Sequence, residues 1–147
     1  MVVLAGCGLG DAGSPHTPSP HTQSPSGSSS SGSSGLPTPA DGADLAACTD
    51  GRCEVQVSAS AKIPVPRKLR VDSVRVQSVG SGTVTIVGRY VGDEQGGFCT
   101  GSDCSSSGSG DGFKLTLGPH STGSQNDLSI TAVAINGKFA VLRLAPV

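Results

Sequence analysis

A side-chain period of two, recurring between turn residues over the C-terminal two-thirds of the chain, constrains the fold more than any other feature. Cys53, Val55, Val57 and Ala59 alternate with Glu54, Gln56, Ser58 and Ser60. Such a run places its apolar members on one face of a strand and its polar members on the other. Pro64 and Pro66 then end regular pairing. Val84 and Ile86 alternate with Thr83 and Thr85, and Phe113, Leu115 and Leu117 repeat the pattern. In Leu69, Val71, Val74 and Val76 the parity flips, and a bulge near Asp72-Ser73 would return all four to one face. Leu128–Ile135 and Phe139–Leu144 flank Asn136-Gly137, the strongest hairpin signal in the chain. A two-residue loop there puts Ile135 and Val133 on the face of Ala140, Leu142 and Leu144, with Ile130, Ala134, Phe139 and Val141 on the other. Both faces are apolar, so this hairpin is expected centrally, covered on each side. The fold class expected is all-β: a small six-stranded sandwich or roll over residues 44–147.

The halves of this region echo one another. Cys48-Thr49-x-x-x-Cys53 recurs as Cys99-Thr100-x-x-x-Cys104, 51 residues later, and Leu69, Val71, Val74, Val76 recur as Leu128, Ile130, Val133, Ile135, with Leu128 59 residues after Leu69. A duplication predicts two three-stranded units related by a pseudo-twofold.

The core of such a domain is thin. With no Trp, one Tyr and three Phe, it rests on Val, Leu and Ile, and staples matter. Cys48, Cys53, Cys99 and Cys104 form two pairs of equal spacing, which an oxidising compartment permits. Pairing within each motif is the default, because Gly51 and Gly101 let the short loops turn; cross-pairing between the halves stays open and would stabilise more. Four residues between the cysteines of a pair is an unusual zinc spacing, and no His stands near. No metal site and no cofactor are expected.

The fifth cysteine stands apart. Leu4-Ala5-Gly6-Cys7 resembles the lipobox of bacterial lipoproteins, which implies acylation of Cys7 and a place at the outer face of the cytoplasmic membrane; secretion without an anchor is the alternative. Residues 1–7 read as the end of a lipoprotein signal whose leader is expected to begin upstream of Met1, since only six residues precede Cys7 and none is basic. Gly8-Leu9-Gly10-Asp11-Ala12-Gly13 matches a dinucleotide fingerprint, but Pro15, Pro18 and Pro20 exclude the helix that such a site requires. Residues 8–43 read as a Ser/Pro/Gly-rich disordered linker, with a coil span of about 35 Å from Cys7 to Ala46. The block Cys-Thr-Asp-Gly-Arg-Cys-Glu-Val-Gln-Val, Cys48–Val57, resembles secreted β-rich proteins of actinobacteria; that resemblance covers the domain and implies no site residues beyond the cysteines.

A formal net charge of −1 gives no case for nucleic acid, and no apolar run is long enough to span a bilayer. Residues 92–112 read as a long Gly/Ser/Asp-rich loop. Its Asp93, Glu94, Asp103 and Asp111 lack an EF-hand spacing. His120, Ser121 and Asp127 carry none of the motif context of a hydrolase, and no catalytic residues are assigned. Lys62, Arg67, Lys68, Arg70 and Arg75 make one basic segment, which protects a sheet edge or meets anionic lipid or wall polymer. The function expected is a lipid-anchored, monomeric, non-enzymatic binding or structural module of the cell envelope, with a wall polymer or envelope protein as partner. The alternative is a metal-dependent binder or hydrolase using the 92–112 loop and His120.

Overall fold

The computed structural model describes residues 35–147. Cys7, the expected lipobox and most of the expected linker lie outside them. Ten strands follow one another: β1 (Cys53–Val57), β2 (Lys62–Ile63), β3 (Val71–Gly80), β4 (Thr83–Tyr90), β5 (Gly97–Thr100), β6 (Ser105–Ser109), β7 (Gly112–Leu117), β8 (Thr122–Gln125), β9 (Leu128–Asn136) and β10 (Phe139–Pro146). They form two antiparallel five-stranded sheets, ordered β1-β10-β9-β8-β5 (sheet A) and β2-β3-β4-β7-β6 (sheet B). Strand β10 lies against β3, β9 against β3 and β4, β8 against β7, and β5 against β6. The all-β sandwich is therefore the fold, with ten strands in place of the expected six. The additional strands are β2, β5, β6 and β8. They are short, and apart from Lys62-Ile63 of β2 and Phe98-Cys99 of β5 they are built of Ser, Gly, Thr and Gln, so they lack the sustained apolar alternation that marks a half-buried strand.

The two expected three-stranded units exchange their first strands. Hairpin β3–β4 lies in sheet B and takes β7 as its next neighbour, whereas hairpin β9–β10 lies in sheet A and takes β1. Each unit thus sends one strand into the other's sheet, and the connectivity has a two-fold pattern. The register supports it: Phe113 follows Cys53 by 60 residues, Thr122 follows Lys62 by 60, and Leu128 follows Leu69 by 59. The cysteine motif falls outside this repeat. Cys53 opens β1, while Cys99 and Cys104 belong to β5 and its turn into β6, a pair of strands inserted before β7.

Bulges bring the apolar residues to one face. At Asp72 the β3–β4 register shifts, and Leu69, Val71, Val74 and Val76 are all buried, as their spacing requires. That ladder shifts again at Gln77, and a further bulge, at Val133, lies outside the sequence expectation. Ala140 pairs with Ile135, yet Leu142 pairs with Ala132 and Leu144 with Ile130. Ile130 and Ala132 thereby join Leu142 and Leu144 in the core, where an unbroken ladder would have turned Ile130 away. The hairpin takes interior positions in sheet A, as expected. Its outer face keeps Val141 fully buried, and residues 35–42 run from beside Asn136 to β1. There Asp41 exchanges backbone and side-chain bonds with Glu54, and Gly42 accepts from the Gln56 amide. Pro39 in this segment is buried. Residues ahead of Asp44 thus attach to the sandwich: a stretch poor in apolar residues is held by backbone bonds to a strand edge.

Both disulfides form within their motifs, Cys48–Cys53 with Cα atoms 4.9 Å apart and Cys99–Cys104 at 5.8 Å. Each sits at one side of the sandwich. The first ties the 3₁₀ turn Leu45–Asp50 to edge strand β1; Gly51 ends that turn at φ +89°, a conformation that favours glycine, and a Cβ there would meet Leu69 Cδ1 at 2.8 Å. The second ties edge strand β5 of sheet A to the start of edge strand β6 of sheet B.

One polar chain crosses the core. The Tyr90 hydroxyl on β4 donates to Gln125 Oε1 at 2.5 Å, and Gln125 Nε2 donates to Ser106 Oγ at 2.8 Å. Gln125 is fully buried, so its amide depends on these partners. Tyr90→Phe leaves the amide oxygen without its donor, and a loss of about 1–3 kcal/mol is expected. Urea denaturation checks it: the midpoint should fall at an unchanged m-value, and an unmoved midpoint would show that the chain is dispensable.

Candidate functional site

The residues singled out from sequence are dispersed. Residues 92–112 contain β5 and β6 rather than one loop, and their acidic groups are spread: Glu94 pairs with Arg70, and Asp111 with Arg89. Among the described residues no group of three or more His, Cys, Asp or Glu is placed to hold a metal ion. His120 is exposed in the β7–β8 turn at φ +63°. Ser121 Oγ donates to the Ser102 carbonyl at 2.5 Å, and Asp127 accepts from Arg70 at 2.7 and 3.0 Å. His120, Ser121 and Asp127 thus serve separate contacts. Among the described residues, no helix is long and apolar enough to cross a membrane.

The basic segment divides. Arg70, at the end of a 3₁₀ turn, is clamped by Asp127 and Glu94, and its backbone carbonyl accepts from Asn126 Nδ2. Arg67 pairs with Asp72 at 3.4 Å. These two arginines fasten loops. Lys62 and Arg75 do something else: they stand directly opposite each other across β2 and β3, both exposed.

That pair opens a line across the outer face of sheet B. The ladder continues from Arg75 to Val87, from Val87 to Lys114, and from Lys114 to Ser107. Alternation explains the arrangement, since Val74, Val76, Ile86, Phe113 and Leu115 turn inward and their neighbours must turn out. Arg89 lies beside the line, opposite Ser73 and Gly112. Its guanidinium bonds Asp111, which raises its pKa and holds the Asp111 carboxyl below its usual value. The Arg70 hydrogen bond lowers Asp127 in the same way, and burial raises Tyr90. Lys62, Arg75 and Lys114 have no ion-pair partner among the described residues.

The same face is concave. A depression of about 920 Å³ lies over Lys62, Ile63, Asp72, Arg75, Val87 and Arg89, walled by Leu45 of the 3₁₀ turn; its one carboxylate, Asp72, is paired with Arg67. A second, of about 460 Å³, lies over Val87, Ser107, Gly112 and Lys114. Val87 and Gly88 line both, so the two adjoin. A smaller hollow of about 380 Å³ beside Arg70 and Phe98, at the β5 edge, is separate. Sequence reasoning located Lys62 and Arg75 but missed Lys114, which only the β4–β7 pairing brings into line. Comparison with family models, curated proteins and solved structures found no match to this chain.

Proposed function

We propose that this protein is a cell-envelope lipoprotein: Cys7 is acylated, the Ser/Pro/Gly-rich residues after it act as a tether, and the β-sandwich is a monomeric, non-enzymatic binding module facing outward. One observation carries the binding part. Lys62 and Arg75 are like charges directly opposed on adjacent strands, an arrangement that costs stability, and Lys114 extends the line, none of the three having an ion-pair partner among the described residues. A fold keeps such a row at lower cost when an anionic partner neutralises it. The two disulfides and the Leu4-Ala5-Gly6-Cys7 motif support a place outside the cytoplasm.

The anchor is tested by labelling cells with a radioactive fatty acid. The wild type is expected to carry label and sediment with membranes, and Cys7→Ser to carry none and appear in the soluble fraction. Equal labelling of the two would end the lipoprotein reading.

A further inference from the structure

Granting that the domain is a binding module, we infer that the trough on the outer face of sheet B seats a linear anionic polymer, lying across the strands with its charges along Lys62, Arg75 and Lys114. The geometry is that of a line rather than a patch. Five strands at about 4.8 Å spacing make a track of roughly 19 Å from β2 to β6. Along it the cations stand about 5 Å and then about 10 Å apart, by the same spacing. Two depressions, adjoining at Val87 and Gly88, lie along this track. Gly112, set between Arg89 and Ser109 in the adjoining row, has nothing within 3.4 Å of where a Cβ would stand and leaves the backbone bare beneath the trough. Ser73, Ser107 and Ser109 add exposed hydroxyls beside the cations. Polymers whose repeat carries a phosphodiester or carboxylate group match this chemistry, since Lys and Arg bind both anions and Arg can do so bidentately.

The face argues against a lipid surface as the occupant. Proteins that lie on membranes insert exposed apolar side chains among their basic ones. Among the described residues the exposed large hydrophobic side chains are Phe98, Phe139 and Val147, on β5, on β10 and at the C-terminus, none of them on sheet B. The cations line a hollow, whereas a bilayer meets a convex or flat surface. Bases of a single-stranded nucleic acid stack on aromatic rings, and Tyr90 and Phe113, the aromatic residues of sheet B, pack inward against each other with ring centroids 5.2 Å apart.

The experiment uses the full chain with Cys7→Ser, so that its outcome is independent of the anchor. Galacturonate oligomers of graded length serve as the probe, with binding read by calorimetry at low salt. Affinity is expected to rise with length until the oligomer covers the trough, and then to level off. Neutralising Lys62, Arg75 and Lys114 to Gln should weaken the longest oligomer roughly five-fold per residue and about a hundred-fold together. Lys68→Gln with Lys138→Gln, both off the trough, should leave binding within two-fold. Thermal melting supplies the discriminating readout: Lys62→Gln should hold or raise stability, because it relieves the repulsion from Arg75. Affinity independent of length, or equal loss in the Lys68/Lys138 control, would overturn the inference. So would a melting temperature that falls on neutralisation, since Lys62 and Arg75 would then be stabilising the fold rather than repelling one another. Tighter binding to vesicles of phosphatidylglycerol than to any oligomer, lost with the same three cations, would assign the face to a membrane instead.

Discussion

Leu115→Ala is expected to destabilise the domain by about 3–4 kcal/mol, lowering its melting temperature by roughly 15–20 °C. Leu115 is fully buried on β7 and fills space that β8 vacates for it. At Gly123 an added Cβ would lie 2.3 Å from Leu115 Cδ1, far inside van der Waals contact. Truncating the leucine removes its transfer energy and opens a cavity between the sheets, at a point where the glycine opposite has no side chain to fill it. The converse change, Gly123→Ala, overpacks the same spot and is expected to cost about 1–3 kcal/mol. The double variant is the sharper measurement. Each change relieves the other, so the combined loss should be smaller than the two separate losses together by at least 0.5 kcal/mol. Strict additivity in urea denaturation would mean that β7 and β8 do not meet through this pair.

Removing both disulfides ranks next, with an expected loss of about 4 kcal/mol. Each closes a short loop, five residues apart in sequence, which restricts the unfolded chain by about 2 kcal/mol on the chain-entropy model. Against a total stability of about 5–15 kcal/mol for a small domain, the combined loss is a large share. The two are not equal. Cys48 and Cys53 are 0 % and 7 % exposed, and both join the core cluster, whereas Cys99 and Cys104 pack only partly against it. Cys48→Ala with Cys53→Ala therefore forfeits packing as well as loop closure and should cost more than Cys99→Ala with Cys104→Ala. The reverse order in guanidinium melts would contradict the view that the first bridge is part of the core and the second a corner staple.

How far the fold could be read before the structure depends on the strand. β1, β4, β7 and the bulged β3 were legible because most of their inward residues are Val, Ile, Leu, Phe, Tyr or Cys and most of their outward ones, Val87 excepted, are polar or charged. β6 is Ser-Ser-Ser-Gly-Ser, exposed throughout, so no contrast between its faces exists for a period to reveal. It is a strand because β7 offers a free edge to pair with. β8 shows the opposite failure. Gly123, Ser124 and Gln125 are buried, but small and polar residues do not announce burial, and Gln125 is inside only because Tyr90 and Ser106 satisfy its amide. The candidate site divides along the same line. Arg67 and Arg70 looked equivalent to Lys62 and Arg75 as charges in one segment, yet carboxylates from Asp72, Glu94 and Asp127 claim the first two.

What a strand's own residues specify, the amino-acid order already contained: the period of two, the parity flip at Asp72-Ser73, the turn at Asn136-Gly137, and short cysteine loops that glycine can close. These depend on interactions within about ten residues. The pairing of β1 with β10 and of β4 with β7, the strand exchange between the halves, and the alignment of Lys114 with Lys62 and Arg75 depend on something else. Each is set by which apolar faces fit together when two sheets close over one core, and Lys62 and Lys114 stand on the same row because Val74, Ile86 and Leu115 are buried beneath it. That fit is a property of residues far apart in the chain, and it exists only once the chain has folded.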